Sequence, residues 1–243
     1  MKRLAFPFLG LCILVSAQAA SAVDVLDYGA YEVYQDDRSL GTETFAFERH
    51  SDSLFIHCAL EQEIPWPDRV LKLEKSMRLL TRQFDGSLIL YESIQTLDGQ
   101  RLVRAISPGD TAMTVYRENE RGGEGNTIVK PPGKMFIIDP HVFTLFDVIV
   151  REFAGREFDE RRVNIFVLTQ EDALVEGSVK HLGTETIRWG AKPVQTTKFR
   201  IGDTVSEFFA YVGPQGYMLE LRQPATGLRV IRKAQDVKPP DAR

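Results

Sequence analysis

Two Asp-Gly pairs, Asp85-Gly86 and Asp98-Gly99, bracket residues 88–96, a segment dense in β-formers. Asp-Gly suits the two-residue hairpin turn, in which both central residues take positive φ and the twist matches that of the flanking strands. A chain punctuated in this way folds into adjacent antiparallel strands, and the punctuation extends over most of its length. Residues 28–35 are the first strand candidate, followed by a turn segment at 36–41. Residues 42–49 come next, with Phe45 and Phe47 on one face and Thr44, Ala46 and Glu48 on the other. After a polar turn at 50–53, a strand around Cys58 runs to the Pro65-Trp66-Pro67-Asp68 break, since proline cannot donate into a ladder.

Residues 70–83 fit two periods. Leu71, Leu73, Met77 and Leu79 follow a strand alternation, while Val70, Leu73, Met77 and Leu80 share one helical face. The hairpin turns that follow favour the strand. Segments 101–106 and 111–117 continue the meander on either side of Ser107-Pro108-Gly109-Asp110. One helix then interrupts the rhythm, with Asp139 as its N-cap, Pro140 at its first position and Gly155 at its end. Val142, Leu145, Phe146, Ile149, Val150 and Phe153 recur at spacings of three and four, an apolar stripe that must be buried against a sheet. Strand candidates resume at 163–168, 173–182, 184–189, 194–201, 206–212, 217–222 and 228–232. The expected fold is mainly β: a curved antiparallel sheet, an open or half barrel, wrapped around one long α-helix. It occupies a single domain at 23–233, followed by a disordered tail at 234–243.

The first 22 residues read as a cleavable export signal. Lys2 and Arg3 precede an apolar run at 4–15, and Ala20-Ser21-Ala22 fits the small-x-small rule for a cut after Ala22. A membrane anchor needs about 20 apolar residues, more than this run supplies. Cys12 follows Leu11, which is too bulky for a lipoprotein cleavage site. The mature chain is therefore expected in the periplasm or secreted, with no transmembrane segment. Removing two cations with the signal moves the net charge from −4 to −6, which disfavours nucleic acid and tight binding to anionic membranes.

Candidate chemistry is sparse. Cys58 is the one cysteine left after cleavage, so it forms no internal disulfide, and its apolar neighbours mark it as a buried small side chain. Of the histidines His50, His57, His141 and His181, no pair has zinc-site spacing, and His57 and Cys58 point to opposite faces of a strand. His141, in the expected first helical turn, is the one placed at a pocket mouth, although a packing or surface role is the simpler assignment. There is no Gly-x-Ser-x-Gly elbow. Gly122-Gly123-Glu124-Gly125 is acidic, lacks a following lysine and leads into β-formers, which makes it a hairpin tip rather than a phosphate loop. No catalytic residue, metal ligand or cofactor is assigned, and enzymatic activity, with hydrolysis the nearest class, is the least supported reading. The 15 phenylalanines and 7 tyrosines leave two alternatives open. Segments such as 54–60 and 208–212, apolar on both faces, suit either a closed two-layer core or an open barrel with an apolar cavity.

Tyr31-Glu32-Val33-Tyr34, followed by Leu40-Gly41-Thr42, is similar to the opening hairpin of uncharacterised bacterial periplasmic proteins grouped as domains of unknown function. Leu97-Asp98-Gly99-Gln100 falls where those proteins also turn, and 216–221 with 227–232 is similar to their last strands. The resemblance covers most of 28–232 and implies a half-barrel enclosing a helix, like the bacterial lipoprotein-carrier fold. It implies no catalytic residues. The expected function is binding or carrying an apolar ligand such as a lipid, or else assembly of another envelope protein through a sheet edge.

Overall fold

Several short turns reverse the chain where the sequence offers left-handed backbone. Asp98 and Gly99 take φ of 50° and 84°, and the first hairpin turns on Asp36 and Asp37 at 48° and 65°, a conformation short polar side chains tolerate. A computed structural model describes residues 23–169, 171–202 and 206–234. The expected signal at 1–22 and nearly all of the expected tail lie outside the described residues.

The strands, in chain order, are β1 (Asp24–Gln35), β2 (Arg38–His50), β3 (Ser53–Trp66), β4 (Arg69–Arg82), β5 (Leu88–Leu97), β6 (Gln100–Pro108), β7 (Ala112–Asn119), β8 (Gly122–Val129) and β9 (Met135–Ile138). After the helix α1 (Thr144–Phe153) come β10 (Glu160–Val167), β11 (Ala173–Trp189), β12 (Lys192–Gly202), β13 (Glu207–Val212), β14 (Met218–Gln223) and β15 (Leu228–Arg232). All fifteen form one curved, unclosed sheet in the order β8-β7-β6-β5-β4-β3-β2-β1-β15-β14-β13-β12-β11-β10-β9. Two meanders thus run outward from a central seam where β1 pairs with β15, Tyr31 opposite Arg232 and Gln35 opposite Leu228. Side chains of β6 and β7 also reach the loop between β10 and β11. Arg104 and Arg117 donate to the Thr169 carbonyl at 2.7 and 2.8 Å, and Arg117 pairs with Asp172 at 3.0 Å.

Among the described strands, only β9 and β10 pair in parallel. Parallel neighbours cannot be joined by a tight turn, so the connection must cross over, and α1 is that crossover. Leu145, Phe146, Ile149, Val150 and Phe153 on the helix enter the main core with Ile56, Met77, Phe199 and Leu221 of the sheet. The inner face of β4 shows the strand period: Leu71, Leu73, Lys75, Met77, Leu79 and Thr81 are buried. The ambiguous segment is therefore a strand.

The structure corrects several expectations. The helix is shorter than expected and begins at Thr144, because the Asp139 carboxylate is engaged elsewhere and the 139–143 segment forms a turn. Segments 173–182 and 184–189 are one strand, β11, with a register shift between His181 and Thr184 where Gly183 takes φ of 89°. Gly122-Gly123-Glu124-Gly125 is not a hairpin tip but part of edge strand β8, paired with β7. A Cβ on Gly123 would meet the Tyr116 hydroxyl, whereas Gly122 and Gly125 face open space. Segment 54–60 buries Ile56, Cys58 and Leu60 on one face only, while Phe55 and His57 stack outside at 5.5 Å. In 208–212, by contrast, Ala210 and Val212 join the main core and Tyr211 joins a second cluster with Ile187 and Leu219.

Candidate functional site: a cavity at the amino end of the helix

The strand ends Val33, Leu40, Ile64 and Leu228 surround an opening of about 430 Å3. Phe143 and Phe146, from the start of α1, and Phe208 complete its walls. The Phe146 and Phe208 rings meet with centroids 4.5 Å apart. The polar groups that reach the lining include Gln62, Asp139 and His141.

Those groups belong to a buried network beneath the cavity. Lys75 and the Tyr91 hydroxyl both donate to the Asp139 carboxylate, and Lys75 also reaches the Pro140 carbonyl at 3.5 Å. Gln62 Nε2 donates to the His141 carbonyl at 3.2 Å. Glu43 accepts the backbone N–H groups of Phe143 at 2.7 Å and Thr144 at 2.8 Å, together with the Thr144 hydroxyl. The first helical N–H groups, normally capped by a local side chain, are capped here from β2. Burial pushes Glu43 up to about 7, against the pull of these donors. Burial also lowers Lys75, opposed by Asp139, and holds the Cys58 thiol well above its ordinary range.

A second buried network lies at the carboxyl end of α1. Arg232 reaches both oxygens of Asp27, at 2.6 and 3.1 Å, and Arg151 pairs with Asp27 and, at 2.8 Å, with Asp147. Asp147 also accepts the Met218 N–H at 2.7 Å. Burial alone would raise Asp27, but Arg232 and Arg151 outweigh it and hold the carboxyl below its usual range.

These arrangements tie the helix and the turn before it to the sheet. Every carboxylate named accepts structural donors, and a buried thiol kept protonated is a poor nucleophile. His141 sits not in the helix but in the turn before it, with φ of 70°. It keeps an exposed edge, yet the protein around its ring and then Lys75 push it down to about 4, so it is neutral near pH 7. His50 and His57 share Glu48 on the outer face at 3.3 and 3.2 Å. His181 packs edge-on to Phe199 at 5.5 Å. Among the described residues no cluster of three or more His, Cys, Asp or Glu has metal-binding geometry. No helix there is long and apolar enough to cross a membrane.

The sequence reading passed over Glu43, Lys75, Asp27, Asp147, Arg151 and Arg232. Two of them left a trace. Glu43 is in phase with Phe45 and Phe47, and Lys75 lies between Leu73 and Met77 in the same alternation, so each is a charge on a face that must be buried. No family model matches the chain, and no curated protein or solved structure matches it either.

Proposed function

We propose that the protein is an exported module that binds an apolar ligand, such as a lipid acyl chain, in the cavity at the amino end of α1. In this reading the curved sheet is a half-barrel wrapped around α1, and the helix is a plug that leaves a cavity at its amino end. The carrying observation is the cavity itself, about 430 Å3 walled mainly by Val33, Leu40, Phe146, Phe208 and Leu228. That volume is within the range of small-ligand sites, roughly 300–1,000 Å3. The networks around Glu43 and Asp139 support the reading because they fix the turn that forms its floor, and a preformed site loses less free energy to ordering.

Native mass spectrometry of protein taken from its own compartment tests this directly. A bound lipid is expected, and Phe208→Trp, which narrows the cavity, should weaken its retention in a variant that still folds. A uniformly empty wild-type mass would end the proposal. Export is tested separately by amino-terminal sequencing of the mature protein, which should begin at Val23.

A second reading, an assembly factor for another envelope protein, draws on edge strand β8. Its residues are almost all exposed, and glycines at 122, 123 and 125 leave its outer backbone unobstructed for an added strand. Crosslinking from a photoreactive residue at position 126 should then capture one specific partner; diffuse labelling would count against it.

A further inference from the structure

The carboxyl end of α1, about 15 Å from its amino end at 1.5 Å per residue, borders a second cavity. Its volume is about 330 Å3. Phe47, Leu54, Leu79, Leu145 and Val148 form apolar walls. Its charged lining is lopsided, five cations against the two carboxylates Asp85 and Glu152, in a chain whose net charge is −4.

The cations differ in how far they are already neutralised. Arg151 is committed to Asp27 and Asp147, and Arg49 to Asp24 at 2.5 Å. Lys134 and Arg156 share the single carboxylate of Glu152, Arg156 at 2.9 Å. Arg82 has no carboxylate within ion-pair distance among the described residues; the exposed Asp85 acts on it and on Lys134 only through space, and Arg82 lies 6.0 Å from the ring of Phe84, which is 78% exposed. Surplus positive charge therefore gathers at the mouth of an apolar pocket, with an aromatic side chain held out in solvent beside it. Leu26, 47% exposed, lies on the same lining.

We propose that this cavity is a second binding site, for an amphiphile with an anionic head. The alkyl tail lies among Leu54, Leu79, Leu145 and Val148. The carboxylate or phosphate head takes the charge that Glu152 leaves unmet on Lys134 and Arg156, together with Arg82. The site is separate from the cavity at the amino end and does not depend on it. The head chemistry is common to free fatty acids and to anionic lipids in a bilayer, so the test uses both.

Laurate below its micellar concentration is titrated calorimetrically, with dodecyltrimethylammonium as the cation carrying the same tail. Flotation with phosphatidylglycerol vesicles is run in parallel. Laurate should bind and the ammonium should not. Arg82→Glu with Arg156→Glu, both at exposed positions, should weaken laurate on the order of tenfold, and Arg156→Ala should weaken it less. Phe208→Trp should leave laurate unaffected whatever happens to ligands of the first cavity. Circular dichroism confirms folding of each variant. Equal binding of the two amphiphiles, or indifference to the charge reversals, overturns the proposal. Sensitivity to Phe208→Trp instead would move laurate to the first cavity and overturn it too. So would capture by vesicles without laurate binding, since that would make the region a bilayer-docking surface.

Discussion

Glu43 lies on β2 while the groups it caps lie 100 and 101 residues later, so α1 acquires a satisfied start only when the sheet brings them together. Removing the carboxylate leaves two buried N–H groups and a hydroxyl without an acceptor. Glu43→Ala should therefore cost about 3 kcal/mol in urea unfolding. Glu43 also sets a pH dependence. Its folded pKa is about 7, against an ordinary 4.5, so the folded protein keeps a proton that the unfolded chain releases. This contribution makes stability fall as pH rises from about 4.5 to about 7, by on the order of 3 kcal/mol, and level off above. His141, held near 4 against an ordinary 6.5, works in the opposite direction between those values. The difference between wild type and Glu43→Gln isolates the glutamate: the wild-type curve should slope downward relative to the variant, and parallel curves would refute the assignment. Lys75→Met strands the Asp139 carboxylate in the core and should cost about 3–5 kcal/mol. Adding Asp139→Asn should recover part of that loss, a coupling that a double-mutant cycle measures.

The elements show how far local pattern determines this fold. Strands β4 to β7 were legible because apolar alternation and Asp-Gly signals agree, although only Asp98-Gly99 forms the expected two-residue turn; Asp85-Gly86 lies in the longer connection 83–87, where Gly86 alone of the pair has positive φ. The stripe of α1 was legible for the same reason, and Ile149→Ala, at a fully buried position, should cost about 3 kcal/mol with little change in the urea m-value. The strand β9 was not legible. It has only four residues, and its pairing with β10 is parallel and therefore non-local. Strand β8 escaped notice because its glycines lack the side chains that advertise a strand. The start of the helix was misplaced because Asp139 and Pro140 form a good local cap signal, yet Lys75 and Tyr91 compete successfully for the carboxylate. In the cavity, sequence gave the apolar walls only as period-two frames. The networks that fix its floor link residues 48 to 101 positions apart, and nothing local specifies those partners.

At the scale of the whole molecule, the seam between β1 and β15 joins the two meanders. Asp27 and Arg232, 205 residues apart, are buried together across it. Every other antiparallel pairing among the described strands joins consecutive strands, so the seam bears the largest loop-closure entropy and should form late. Stopped-flow refolding should show a slow phase sensitive to Val33→Ala and Val230→Ala, which lie opposite each other there. Deleting residues 228–234 would leave β1 and β14 as raw edges in mid-sheet and Asp27 without Arg232. Cooperative thermal unfolding should be lost. The same seam places the first and last described strands side by side, with Arg232 opposite Tyr31 and Asp24 seven residues farther along, roughly 23 Å. A flexible linker of about 10 residues can bridge that gap. Circular permutation, opening the chain between Val129 and Met135 and joining residue 24 to residue 232, would make chain order and sheet order identical from β9 to β8. The permutant would retain every pairing while turning its most distant one into an ordinary hairpin neighbour, and it should refold faster at nearly unchanged stability.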